Sequence, residues 1–376
     1  MSKSKLAAAV ALGFVLGTGL GFVPAAGGMQ PAVAEAAQAQ VNILVDASRS
    51  SATVDSTGQI IEPSLTAALR FAQKQGAQRT VIRLSPQTFR EKVVIDIPNL
   101  TLIGDSRRMA TIVWDDAEGT PLRPGDTNGS KKTYTMECAT VKITSNAKNF
   151  QAVNVTFAND FPTEARRADK KMKAVQAFAV TDEADKSSFY GCRFLGRQDT
   201  LYANAGRQYY RDCYIEGDVD FIFGQGTAVF DRCEIHSLDR KTKSKSRGYI
   251  TAPSTLAQDK GFLFYRCHLT SKIKAPNYVL LGRPWHPSSE KREVNSAAVF
   301  RECQIDTPIM DKGWNSMKNK YGVFQPEDNR LYEYQNTGKY AVQGTPKGNR
   351  KQLTDKQAKA ATPHKYLDGW HPHKRA

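Results

Sequence analysis

Phe189-Tyr190-Gly191-Cys192-Arg193-Phe194, Tyr210-Arg211-Asp212-Cys213-Tyr214-Ile215 and Phe230-Asp231-Arg232-Cys233-Glu234-Ile235 are three versions of one six-residue phrase. An aromatic residue is followed three places on by cysteine and two places later by an apolar residue. The phrase returns at Phe264/Cys267/Leu269 and Phe300/Cys303/Ile305, and an earlier stretch, Phe150/Val153/Val155, fits the same frame with valine in the cysteine place. The cysteines stand 21 and 20 residues apart, then 34 and 36, so the unit is about twenty residues long with loops inserted in the later copies. Short runs with period-two apolar residues recur in each unit, as at Val175, Ala177 and Ala179 and at Val219, Phe221 and Phe223. Few units contain a segment with helical periodicity.

A chain that returns to the same short strand every twenty residues can satisfy its backbone by laying each strand on the last, at about 4.8 Å per layer. The expected architecture is therefore an all-β, single-stranded parallel β-helix, with aromatic and cysteine columns filling its core. Near the start, residues 64–75 have helical periodicity at Leu65, Ala68, Leu69 and Ala72, with Ser64 as N-cap. A short helix there would cover the first coil, which has no neighbour of its own. The solenoid is expected over residues 41–346, followed by a tail, 347–376, that packs on it or trails from it.

Six cysteines allow disulfides, yet a place filled by valine in one coil and cysteine in the next also suits simple packing. Cys213 and Cys233 lie one coil apart, so they would either bond across layers or remain stacked thiols. There is no Cys/His spacing of the zinc-binding kind, and no metal site is expected.

The whole chain has 376 residues, 40% of them hydrophobic, with a formal net charge of +16. That apolar content excludes disordered and collagen-like classes. Lys3 and Lys5 precede an apolar run from Leu6 to Ala26, and Ala32-Val33-Ala34 supplies small residues for cleavage. Residues 1–37 thus read as a secretory signal peptide of a bacterial protein. The rival reading is a retained anchor, which the apolar length just allows. Cleavage leaves a secreted chain, extracellular or held at the cell surface, with no stable membrane insertion. A basic exported protein is drawn to acidic polymers, among them polyuronates, anionic walls and nucleic acid. The basic runs Lys241–Arg247 and Lys347–Lys351 lack interleaved aromatic residues, so they read as solvated loops and not as a nucleic-acid groove. A monomer is expected.

Chemistry concentrates between Gln176 and Trp285. Gly196-Arg197-Gln198-Asp199-Thr200-Leu201-Tyr202 lies one coil before Gly217-Asp218-Val219-Asp220-Phe221-Ile222-Phe223-Gly224, and Gln176-Ala177-Phe178 lies one coil earlier still. The solenoid would bring Asp199 and Asp220 to adjacent layers, where one carboxylate perturbs the other. Two acids with separated pKa values can divide a reaction between proton donor and nucleophile. Gln176 and Gln198 add amide donors of the kind a developing oxyanion needs. Leu281-Gly282-Arg283-Pro284-Trp285 supplies a cation to hold a carboxylate ionised and a ring to stack on a sugar. Each of these residues taken singly also has a structural role open to it; their convergence in register favours chemistry.

Gln198-Asp199-Thr200-Leu201-Tyr202, Asp220-Phe221-Ile222-Phe223-Gly224 and Leu281-Gly282-Arg283-Pro284-Trp285, in this order, resemble the signature segments of the pectin methylesterases (pectinesterases, carbohydrate esterase family 8). The likeness runs from Val45-Asp46-Ala47-Ser48 to Tyr366-Leu367-Asp368-Gly369-Trp370. It implies a right-handed, pectin lyase-like solenoid that hydrolyses the C6 methyl esters of homogalacturonan without a cofactor, giving pectate and methanol. It further implies Asp220 as nucleophile, Asp199 as acid and base, Gln176 and Gln198 as the oxyanion hole, and Arg283 orienting Asp220. Trp285, Tyr202 and Phe223 would line the sugar groove. Cys213 and Cys233 fall at positions like a disulfide pair of some bacterial members.

Two departures stand out. Gln87-Thr88-Phe89-Arg90-Glu91 replaces a Gly-x-Tyr-x-Glu turn, and Arg197 stands where an aromatic residue is common; one more cation beside the site would favour substrate already carrying free carboxylates. Other readings of a β-helical chain are a polysaccharide lyase or glycosidase, or a non-catalytic polysaccharide-binding solenoid. The paired glutamines fit neither a lyase nor a glycosidase, which needs two carboxyls flanking a glycosidic bond.

Overall fold

The six-residue phrases become corners. In the computed structural model, which describes residues 40–121, 133, 135–168 and 174–374, Phe189 lies on the strand Ser187–Tyr190 and Phe194 on the strand Arg193–Leu195, with Cys192 at the bend between them. The residue before each cysteine takes the left-handed conformation that turns the chain: Gly191 (φ 59°), Asp212 (52°), Arg232 (55°), Arg266 (55°) and Glu302 (54°). A side chain in that region costs about 1–2 kcal/mol. Part of the compensation is visible, because the N–H of each corner residue donates to a carbonyl of the next coil, as from Asp212 to Asp231 at 3.1 Å and from Arg232 to Tyr265 at 2.9 Å.

Successive coils stack in register. Phe189 pairs with Tyr210, Tyr210 with Phe230, Phe230 with Phe264 and Phe264 with Phe300. The five rings form one column with centroids 4.3–4.8 Å apart and interplanar angles of 13° or less. On the far side of each corner, Phe194, Ile215, Ile235, Leu269 and Ile305 form a second column. Among the described residues the coils make three sheets of twelve, eight and seven strands. Their pairings are parallel, apart from the edge strand Thr53–Val54 and an isolated hairpin, Met317–Asn319 with Gly322–Phe324. This is a right-handed parallel β-helix, with the hydrophobic core running along its axis.

Two expectations need correction. Phe150/Val153/Val155 is out of frame by two residues: Ala152 pairs with Phe189 and Phe157 with Phe194, which puts Val155 in the cysteine place. A shift of two keeps the same faces inward, so the apolar pattern could not distinguish the frames. Cys213 and Cys233 are not bonded; both are buried free thiols, as are the other four cysteines. The Cys213 thiol reaches the Phe189 carbonyl at 3.6 Å, Cys233 that of Tyr210 at 3.4 Å and Cys267 that of Phe230 at 3.1 Å. Each of these thiols thus reaches a carbonyl of the preceding coil. Burial pushes the Cys213 and Cys233 thiols well above their ordinary range, which keeps them protonated and unreactive.

Both ends of the solenoid are covered. Helix α1, Leu65–Gln75, buries Leu65, Ala68, Leu69 and Ala72, begins with Ser64 Oγ accepting from the Ala67 N–H, and ends at left-handed Gly76. Glu91, from the unusual turn, accepts hydrogen bonds from the Leu65 and Thr66 N–H groups at 2.9 and 2.8 Å. The short helix α2 spans Thr163–Ala168. After residue 347 the chain folds back through the short helices α3, Asp355–Ala358, and α4, Pro363–Tyr366. Ala361, Tyr366 and Leu367 pack on an outer stripe of the twelve-stranded sheet made by Val153, Tyr190, Tyr209, Val229, Leu263 and Val299. Gln352 bridges Glu333 in the last strand of that sheet, and Arg350 pairs with Glu333 at 2.7 Å in a buried contact. The expected signal peptide lies outside the described residues. No helix among the described residues is long and apolar enough to cross a membrane.

Candidate active site

The seven-stranded sheet carries the site. Its strands Leu201–Ala203 and Val219–Gly224 pair with Leu201 beside Ile222 and Tyr202 beside Phe223. Gln198 bridges Val219, and the Asp199 N–H donates to the Val219 carbonyl at 3.0 Å. Asp199 and Asp220 consequently occupy the same place in successive coils, both at left-handed corners with φ of 64° and 50°. The corner before Asp220 passes so close to the coil below that a Cβ on Gly217 would lie 2.6 Å from the Arg197 carbonyl oxygen. Only glycine allows that approach.

The two acids differ in their partners. Asp220 is 6% exposed and receives a fork from Arg283, with Nε 3.0 Å from Oδ1 and Nη2 2.5 Å from Oδ2. The guanidinium lies 4.3 Å above the Tyr249 ring, whose hydroxyl accepts from Asn315 Nδ2 at 3.2 Å. Burial raises the Asp220 carboxyl above its ordinary value, with the Arg283 charge and hydrogen bonds pulling it back down. Asp199 has no such fork. Burial pushes its carboxyl well above the usual range, and the Asp220 charge adds to the rise. Both carboxyls are raised, Asp199 further than Asp220.

Each glutamine has its oxygen occupied. The Gln176 Oε1 accepts from the Val175 N–H at 3.0 Å, and the Gln198 Oε1 accepts from Arg167 Nη2 at 3.4 Å. The Ala177 N–H donates to the Gln198 carbonyl at 3.2 Å, which ties the two glutamine-bearing coils together. Tyr202 and Phe223 stack at 4.4 Å, and Trp285 leans over both at 6.3 and 5.6 Å. Together with Phe178, 5.1 Å from Phe223, they form an apolar cluster outside the main core. Such a wall suits the C–H face of a sugar ring.

Asp199, Asp220, Gln198, Tyr202 and Phe223 thus fall on this sheet and its corners, with Gln176 ahead of its strand Val180–Asp182 and Arg283 and Trp285 following its strand Tyr278–Gly282. Tyr249, Phe178, Arg167 and Asp218 were not singled out. Asp218 and Phe178 stand inside the quoted segments, but nothing in their spacing distinguished them from packing residues. Arg167 lies on α2, outside the repeats. Arg197 is paired: its Nη1 lies 3.0 Å from both Asp218 and Glu164.

Comparison with known proteins gives one answer. The Pectinesterase family model matches residues 51–370. Pectinesterase A of Dickeya dadantii is 35% identical over 321 residues, covering 79% of this chain and 84% of that protein. Pectinesterase 31 of Arabidopsis thaliana is 33% identical over 297 residues, covering 77% and 83%. Among solved structures, the pectin methylesterase PemA from Erwinia chrysanthemi superposes with a TM-score of 0.74 at 31% identity, covering 88% of this chain and 98% of that one. A pectin methylesterase in complex with a hexasaccharide superposes with a TM-score of 0.75 at 31% identity, covering 89% and 98%.

Proposed function

The chain belongs to the pectinesterase family, and from that premise we propose that it removes C6 methyl esters from homogalacturonan with Asp220 as nucleophile and Asp199 as acid and base. The observation that carries this reading is the asymmetry of the two acids, one forked by Arg283 and the other left to burial and a neighbouring charge.

In the first half-reaction an Asp220 oxygen attacks the ester carbonyl carbon. The tetrahedral oxyanion is stabilised by the amide NH2 groups of Gln176 and Gln198, whose oxygens are engaged elsewhere. Collapse breaks the bond from the carbonyl carbon to the methoxy oxygen, and the Asp199 proton passes to that oxygen as methanol leaves. The product is an anhydride between Asp220 and the C6 carboxyl. In the second half-reaction Asp199, now ionised, takes a proton from water while the water oxygen adds to the C6 carbonyl. Collapse breaks the bond from the C6 carbon to the Asp220 oxygen, frees the C6 carboxylic acid, which gives its proton to solvent, and returns Asp220 as carboxylate and Asp199 as acid. Arg283 keeps Asp220 ionised and aimed, while Trp285, Tyr202 and Phe223 hold the sugar. The substrate is a polyanion wherever esters have already been removed, in keeping with the net charge of +16.

The test is methanol release from highly methylated pectin. Asp220→Ala is expected to abolish release while leaving pectin binding largely intact. Unchanged turnover would overturn the assignment. New reducing ends or unsaturated uronates in place of methanol would point to a glycosidase or a lyase.

A further inference from the structure

Beside the glutamine of the second coil lies a compact charged cluster that the reaction scheme does not use. The Asp218 side chain has no exposure and takes a two-pronged contact from Arg167, with Nη1 2.6 Å from Oδ2 and Nη2 2.7 Å from Oδ1. Arg197 adds a third contact to Asp218 at 3.0 Å, and Glu164 accepts from both arginines at 2.8 and 3.0 Å. Two guanidinium groups and two carboxylates make the cluster neutral. The same Arg167 Nη2 that grips Asp218 also reaches the Gln198 Oε1.

We propose that Arg167, fixed on the buried Asp218 carboxylate, is the positioning residue that sets which end of the Gln198 carboxamide faces the substrate. The inference rests on the assignment of Gln198 to the oxyanion hole. A carboxamide turned by half a rotation exchanges an acceptor for donors, and an inverted Gln198 would present a lone pair to the developing oxyanion. A guanidinium has only donors. The carboxamide end facing Arg167 is therefore the oxygen, and the NH2 is turned the other way. Glu164 and Asp218 hold the guanidinium plane, and Arg197 braces Asp218 from the other side. Because the cluster is neutral, its effect on the reaction is orientation and not field. Preorganised donors are what an oxyanion hole requires, since no rearrangement is then needed during the reaction. Gln176 is held in the same sense by a backbone N–H, also a donor only.

The test is a cycle of Arg167→Met, Gln198→Ala and the double variant, with kcat and KM for methanol release measured on one pectin. Gln198→Ala is expected to lower kcat about 100-fold or more, and Arg167→Met about 10- to 100-fold, with KM changed about twofold or less in each. The double variant is expected to be no slower than Gln198→Ala alone, because Arg167 acts only through that side chain. Arg167→Lys, which keeps a donor-only group on a shorter reach, is expected to recover part of the loss. Losses that multiply in the double variant, or an unchanged kcat in Arg167→Met, would overturn the proposal. Full activity in Gln198→Ala would instead overturn the oxyanion assignment beneath it. Thermal unfolding of each variant separates loss of fold from loss of turnover. Should Arg167→Met fail to fold, the same cycle is run with Arg167→Gln, whose carboxamide offers an acceptor as well as donors, with the same two outcomes deciding it.

Discussion

Asp199 and Asp220 are the same side chain at the same place in successive coils, and what separates them is one guanidinium. Removing it tests the division of labour. In Arg283→Met, Asp220 loses the charge and hydrogen bonds that lower its pKa, and Asp199 loses a charge that lowers its own. Both pKa values rise. Activity needs Asp220 ionised and Asp199 protonated, so the acidic and basic limbs of kcat/KM against pH should both move to higher pH, around a lower maximum. A profile that keeps its position while losing height would deny Arg283 this electrostatic role. At this scale the sequence was legible where residues repeat at the coil period: the offset from Asp199 to Asp220 announced their adjacency. It was silent on Arg167, which lies on α2 outside the repeats, and on the partners of Arg197, which come from the next coil and from α2.

The corner is the element on which the architecture turns. Of the six corners described along the cysteine column, only Gly191 is glycine; Asp212, Arg232, Arg266 and Glu302 also precede a cysteine, and Asn154, at φ 55°, precedes Val155. The conformation is thus imposed by stacking and not by residue type, which is why no turn signature marked it in the sequence. The two-residue error in the frame at Phe150 has the same origin: period-two strands tolerate a slip of two, and only the corner fixes the count. Gly217 is the exception where residue type does matter. Gly217→Ala would bring a methyl carbon 2.2 Å from the Phe221 Cβ and 2.6 Å from the Arg197 oxygen, so the corner must move. We expect a stability loss of about 1–3 kcal/mol by denaturant titration, and a fall in kcat, because the displaced strand carries Asp220. Retention of wild-type kcat with a lowered midpoint would show that the corner does not set the nucleophile.

For the molecule as a whole, a solenoid core also holds a titrating group that the proposed reaction does not use. Asp182 is fully buried, accepts hydrogen bonds from the Ala184 N–H and Ser187 Oγ at 3.0 Å each, and is pushed by burial up to about 8 from an ordinary value of 3.8. A carboxyl protonated in the fold and ionised in the unfolded chain makes stability fall as pH rises between those two values, by at most about 1.4 kcal/mol per unit, with no further change above the higher one. Asp182→Asn removes that contribution. Relative to the parent, the variant should therefore gain stability steadily from about pH 4 to about pH 8, measured by urea midpoints; a constant difference across the window would contradict this. The overall architecture was the most legible feature of the sequence, because a column of like residues is written once per coil. The closing segment was the least, since residues 347–376 carry no repeat, and Ala361, Tyr366 and Leu367 pack by shape on an outer stripe. That segment has a wider consequence. The last strand of the twelve-stranded sheet would otherwise offer open backbone groups on which a second molecule's first strand could continue the stack. Gln352 and Leu353 lie against Glu333 in that strand, so fibre growth from this end would first require peeling the terminus away.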